Sequence, residues 1–153
     1  MKTLDKLSLN NEKVLIRVDF NVPINEEGKV TDDTRIRAAK PTIDYILSKG
    51  GCCILISHLG RPDGKDAKFS LKQIQQTVSD IIEVPVLFAE DCIGTKTQTL
   101  ANNLQNGQVL LLENLRFYDE ETAGDEKFAK QLSKLGSVYV NDAFGTAHRA
   151  HAS

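Results

Sequence analysis

Two short stretches of this chain are apolar without a break, Cys52 to Ile56 and Val109 to Leu112. Neither shows the alternation of a strand with one wet face, so each reads as a strand buried on both sides. A sheet covered on both faces needs a layer of helices above and another below, and this requirement narrows the possible folds more than any other feature. Further strand candidates are Val14 to Val18, Val86 to Phe88 and Val138 to Val140, which is expected to be the last strand.

Helix-like periodicity fills the gaps. Thr34 to Lys49 puts Ile36, Ala39, Ile43, Ile46 and Leu47 on one face, and Gly50 and Gly51 end the pattern. Pro41 is expected to break or kink this helix, leaving it regular only from there onward. Ser70 with Gln73 three residues later fits a capping box, Thr97 to Leu104 reads as a helix, and Asp125 caps another running to Leu135. Asn25 to Lys29 reads as a surface turn, and the acidic run Asp119 to Glu121 as a solvated loop. Strands alternating with helices imply crossover connections. The expected architecture is α/β: one three-layer Rossmann-like domain over 1–153, with a mainly parallel sheet and helices on both faces.

Composition removes several function classes. With 153 residues, 41% hydrophobic and 26% charged, the chain can bury a core and does not resemble a disordered segment. A net charge of −2 argues against a protein that coats nucleic acid or an acidic membrane. No run is long enough to span a bilayer, and Met1 to Lys13 lacks the layout of a signal peptide, so a cytoplasmic protein is expected. Cys52, Cys53 and Cys92 lack metal or disulfide spacing and read as buried thiols in a reducing compartment. A redox pair of Cys52 and Cys53 is disfavoured because neighbouring strand residues face opposite sides.

Four of the six arginines, Arg35, Arg61, Arg116 and Arg149, and all three histidines, His58, His148 and His151, follow strand-like runs. In an open parallel sheet the loops beyond the carboxyl ends of the strands share one edge, where ligands bind. Guanidinium forks match phosphate or carboxylate oxygens, so a compact anion is the expected ligand.

Each motif also has a plainer reading. Asp19-Phe20-Asn21 can be a turn before Pro23, a pair of polar side chains for ligand hydroxyls, or an aspartyl-phosphatase nucleophile. The last would want an Asp where Asn21 stands. Ser57 to Lys65 invites comparison with a nucleotide P-loop, but the glycine spacing fails and Asp66 stands in place of the magnesium-binding hydroxyl. His58 and Arg61 could instead aim donors at one oxyanion. Arg116 could pair with Glu113 or another nearby acid on the surface. Arg35 and Arg37 sit at a helix start, where the dipole does not favour them, so a ligand-facing role for at least one is expected. His148 and His151 are too few for a metal site, and no metal ligand is assigned.

In order, the segments RVDFNVP (Arg17 to Pro23), TRIRAA (Thr34 to Ala39), SHLGRPDG (Ser57 to Gly64), LLENLRF (Leu111 to Phe117) and VYVNDAFGTAHRAHAS (Val138 to Ser153) closely resemble the N-terminal half of the phosphoglycerate kinases. The resemblance covers essentially the whole chain. It implies a glycolytic, cytoplasmic, monomeric transferase that moves the acyl phosphate of 1,3-bisphosphoglycerate to ADP, giving 3-phosphoglycerate and ATP with Mg2+. It implies that Asp19 and Asn21 orient the glycerate, and that His58, Arg61, Arg116 and Arg149 clamp the non-transferred phosphate. Arg35 is then the catalytic residue, stabilising the phosphoryl group in flight. The backbone at Phe20, Leu59 and Gly60 lies close to the ligand. Members of the family are more than twice as long, so the nucleotide-binding C-terminal lobe is expected to be missing, and with it bound nucleotide, Mg2+ and turnover. A non-catalytic phosphometabolite-binding module describes what such a chain could do alone.

Overall fold

In a computed structural model the described residues are 2–3, 8–118, 126–142 and 149–152, with backbone alone described at 2–3, 142 and 149–152. Seven strands form a single sheet: β1 (Lys2–Thr3), β2 (Lys13–Val18), β3 (Cys52–Ile56), β4 (Val86–Ala89), β5 (Val109–Leu112), β6 (Val138–Asp142) and β7 (Arg149–Ala152). Their order across the sheet is β1-β7-β6-β2-β3-β5-β4. The five strands from β6 to β4 are parallel, while β7 and β1 extend the β6 side in antiparallel fashion. The α/β, mainly parallel expectation therefore holds. Val138 to Val140, however, is neither the full strand nor the last, since β6 runs on to Asp142 and β7 folds back beside it.

Strand alternation sorts the core into two layers. From β2, β3 and β5, Val14, Ile16, Val18, Cys53, Leu55, Val109 and Leu111 face one side. They meet Ile36, Ala39, Ile43 and Ile46 of α1 (Thr34–Ser48) and Val78, Ile81 and Ile82 of α2 (Gln75–Ile82). The intervening residues Leu15, Cys52, Ile54, Ile56, Leu110 and Leu112 face the other side. There they meet Ala101 of α3 (Thr95–Asn102) and Phe128 and Leu132 of α4 (Glu126–Ser133). Helices thus cover both faces. Cys52 and Cys53 belong to opposite layers, both as free, buried thiols, which excludes a bond between them without tearing the strand.

Three local expectations need correction. Helix α1 is continuous from Thr34 to Ser48 with Pro41 inside it. Pro41 and Arg37, whose carbonyl loses its partner there, both lie on the exposed face, where water can take the carbonyl. Ser70 does cap, but it caps a 3₁₀ turn over Leu71–Ile74. Gln73 donates its amide to the carbonyls of Ala67, Lys68 and Ser70 instead of accepting from the cap N–H. Helix α3 starts at Thr95, two residues early, and the Thr97 hydroxyl is buried inside it, donating to Asp91 O at 2.9 Å. Asp125 and the run 119–121 lie outside the described residues.

Candidate functional site

The strands β2, β3 and β5 are parallel, so the segments that leave their carboxyl ends emerge on one edge of the sheet. The first carries Asp19, Phe20 and Asn21, the second His58, Leu59, Gly60 and Arg61, and the third Arg116. Strand β7 begins at the same edge, because Ala150 pairs with Val140 near the end of β6, and Arg149 lies one residue beyond. Arg149 therefore opens a strand rather than sitting in a loop, and its side chain lies outside the described residues, as do the side chain of His151 and all of His148. Arg35 comes to the edge from the first turn of α1.

Side chains stitch these segments together. Asp19 Oδ1 accepts from Asn21 N–H at 3.2 Å and pairs with Arg35 Nη1 at 3.3 Å. The same Arg35 nitrogen donates to Asn21 O at 2.7 Å. Asn21 Oδ1 accepts from Gly60 N–H at 2.9 Å, which fastens the first segment to the second. Ser57 Oγ, on a nearly fully buried residue, accepts from Phe20 N–H at 3.0 Å, and Ser57 O accepts from Leu115 N–H at 3.0 Å. Asp19-Phe20-Asn21 is thus a turn whose polar side chains also tie it to Arg35 and to Gly60.

The arginines divide by partner. Arg37 pairs with Asp33 four residues before it, at 3.0 Å, on the open surface. That carboxylate raises the Arg37 pKa and gives it a helix-surface role. Among the described residues nothing engages the remaining guanidinium nitrogens of Arg35, whose side chain is about half exposed. Arg61 is exposed and forms no ion pair with a described residue. Arg116 departs from the surface-pair reading. Its Nε is buried and bonds to nothing among the described residues. Glu113 is occupied elsewhere, accepting from Leu71 N–H at 2.8 Å, Asn114 N–H at 2.9 Å and the Ser70 hydroxyl at 2.6 Å. A buried cationic nitrogen without a partner is costly, and an anion at this edge would relieve it.

Sequence reasoning missed Ser57, Glu113 and Asn114 as organisers of the site. A signal was available, since each follows a fully apolar strand, where a polar side chain must find a partner or face water. A hollow of about 210 Å3 nearby is not the anion site: Glu90, Asp91 and Glu113 against Lys65 make its lining predominantly acidic. Among the described residues no three His, Cys, Asp or Glu side chains gather to hold a metal ion.

The family model for phosphoglycerate kinase matches residues 4–153. The phosphoglycerate kinase of Chlorobium phaeovibrioides is 56% identical over 153 residues, covering 99% of this chain and 38% of that protein. The cytosolic phosphoglycerate kinase of Triticum aestivum is 54% identical over 151 residues, with the same coverages. The crystal structure of phosphoglycerate kinase from Pyrococcus horikoshii superposes with a TM-score of 0.84 at 32% identity, covering 94% of this chain and 37% of that one. The Coxiella burnetii structure gives 0.80, also at 32% identity. The chain spans about two-fifths of the length of the curated relatives it matches. Sequence match and superposed fold agree: the chain belongs to the phosphoglycerate kinase family.

Proposed function

We propose that this chain is the N-terminal lobe of a phosphoglycerate kinase and holds 3-phosphoglycerate or 1,3-bisphosphoglycerate at the edge described above. In the whole protein a C-terminal lobe would hold ADP or ATP with Mg2+, and transfer of the acyl phosphate would follow closure of the two lobes. The observation that carries the reading is the buried, unpartnered Nε of Arg116, on a turn bonded directly to the loop of His58 and Arg61. Asn21 spends its carbonyl oxygen on Gly60, which leaves its amide N–H groups for a ligand oxygen. Asp19, anchored through Oδ1, offers its other oxygen to a glycerate hydroxyl. His58, Arg61, Arg116 and Arg149 would clamp the phosphate that stays.

Arg35 fits the transferring group. Asp19 and Asn21 O hold one of its nitrogens while the rest of the fork stays exposed. Phosphoryl transfer through a loose transition state asks the protein for position and charge rather than a nucleophile, and an arginine so placed is worth about 10³–10⁵ in rate by analogy with arginine fingers. No helix of the described residues is long and apolar enough to cross a membrane. A cytoplasmic monomer is part of the proposal. The test is a titration with 3-phosphoglycerate followed by backbone amide shifts, with inorganic phosphate as control. Saturable shifts at Asp19, Arg35, Gly60, Arg61 and Arg116, stronger than those from phosphate, are expected. A folded chain that ignores 3-phosphoglycerate, or treats it as phosphate, overturns the reading.

A further inference from the structure

Asn114 is completely buried, and its side chain makes four hydrogen bonds, all to backbone. Oδ1 accepts from Leu59 N–H at 3.2 Å and from Arg116 N–H at 3.0 Å. Nδ2 donates to Leu59 O at 2.8 Å and to Phe69 O at 2.8 Å. A carboxamide has two donors and two acceptor positions, so this side chain is fully used and its orientation follows. Turned over, its amide group would face two N–H groups and its oxygen two carbonyls.

The groups it joins come from two separate segments of the site. Leu59 sits between His58 and Arg61 on the loop after β3, which Phe69 closes at its far end. Arg116 stands on the 3₁₀ turn after β5 that Asn114 itself caps. One oxygen atom therefore receives both segments, and its two bonds act together with that from Leu115 N–H to Ser57 O to fix the distance between them. A multidentate clamp on a small anion depends on such spacing, because side chains that must be ordered on binding subtract from affinity.

We propose that Asn114 is a positioning residue for the anion site, one that touches no substrate but fixes the Arg116 turn against the His58–Arg61 loop. The inference rests on reading that edge as the glycerate-phosphate clamp. A merely structural role would lower stability and leave the affinity of the folded protein unchanged.

The test compares Asn114→Ser with Leu104→Ala. Leu104 lies in the core layer of α3 and α4, and its carbonyl accepts from Lys13 at the start of β2, the end of the sheet opposite the site, so its variant supplies destabilisation without loss of the tether. In the folded 153-residue chain, Asn114→Ser is expected to raise the Kd for 3-phosphoglycerate about tenfold, and Leu104→Ala to leave it unchanged. Amide hydrogen exchange at Leu59 and Arg116 should speed up about tenfold in Asn114→Ser while β2 and β3 keep their protection. An unaltered Kd in folded Asn114→Ser overturns the proposal, whether or not exchange changes.

If Asn114→Ser does not fold, the unmodified chain still decides. Leu59 and Arg116 share one acceptor, so their amides should show matching protection above that of their loop neighbours, and unrelated exchange rates overturn the tether. If the unmodified chain ignores 3-phosphoglycerate, the proposed function fails by itself, and the exchange comparison alone judges whether Asn114 couples the two segments.

Discussion

Gly60 and Glu113 illustrate how single residues shape this site. Gly60 has φ +62°, and an added Cβ would run into the Phe69 ring. Gly60→Ala is expected to lower stability by about 1–3 kcal/mol, read from the urea midpoint. Glu113 is buried and satisfies three donors, two on backbone. Glu113→Ala orphans all three and should cost about 2 kcal/mol or more, since an unmet buried group costs roughly 1–3 kcal/mol. Glu113→Gln should cost much less, because its carbonyl can take the N–H groups and the Ser70 hydroxyl can turn. The buried thiols predict a pH dependence. Burial raises the pKa of Cys52, a nearby Lys13 partly opposing it, and raises that of Cys53 further. The folded state holds these protons longer than the unfolded chain, so their contribution is intact below an unfolded thiol pKa of about 8.5 and is lost as pH rises beyond it. Urea midpoints from pH 7 to 10 should fall in the upper range, and Cys53→Ser should flatten that fall, whatever it does to the midpoint at pH 7. In the sequence these residues were visible as polar or apolar types. Their partners were not, because Glu113 and Leu71 meet only when β5 lies beside the turn before α2.

At the scale of elements, the continuous apolar runs were the most legible part. β3 and β5 are buried along their whole length, and the alternation of facing sides placed Cys52 and Cys53 apart. Helix α1 was legible in its buried face but not in its continuity. A proline removes one hydrogen bond and crowds the preceding turn, which is a local cost. Burial of Ile36, Ala39, Ile43 and Ile46 on the sheet is a cooperative gain that outweighs it. Pro41→Ala is then expected to raise stability by about 1 kcal/mol, short of the roughly 3 kcal/mol of an unrelieved interior proline. A urea midpoint unchanged or lowered by this substitution would show that the helix already accommodates the ring without strain. The antiparallel strands β1 and β7 were not legible, since two residues carry no period and Arg-Ala-His-Ala offers neither an apolar run nor a bulky apolar side chain.

For the whole molecule, the span of about two-fifths of its relatives bears on activity. The 153-residue chain is expected to show no ATP-dependent turnover of 3-phosphoglycerate in a coupled assay, while still binding it. Detectable turnover would contradict the proposed division of labour between lobes. By itself the sequence determined the α/β class, the layered core and the residue types at the edge, because buried strands must be apolar and charged groups must stay out of the core. Only the tertiary structure decided which polar groups hold one another and which are left for a ligand. Asn21 and Asn114 bind backbone more than forty residues from Asp19 or Arg116 in sequence only where the sheet order brings β2, β3 and β5 together, and that order depends on long-range packing rather than on any local pattern.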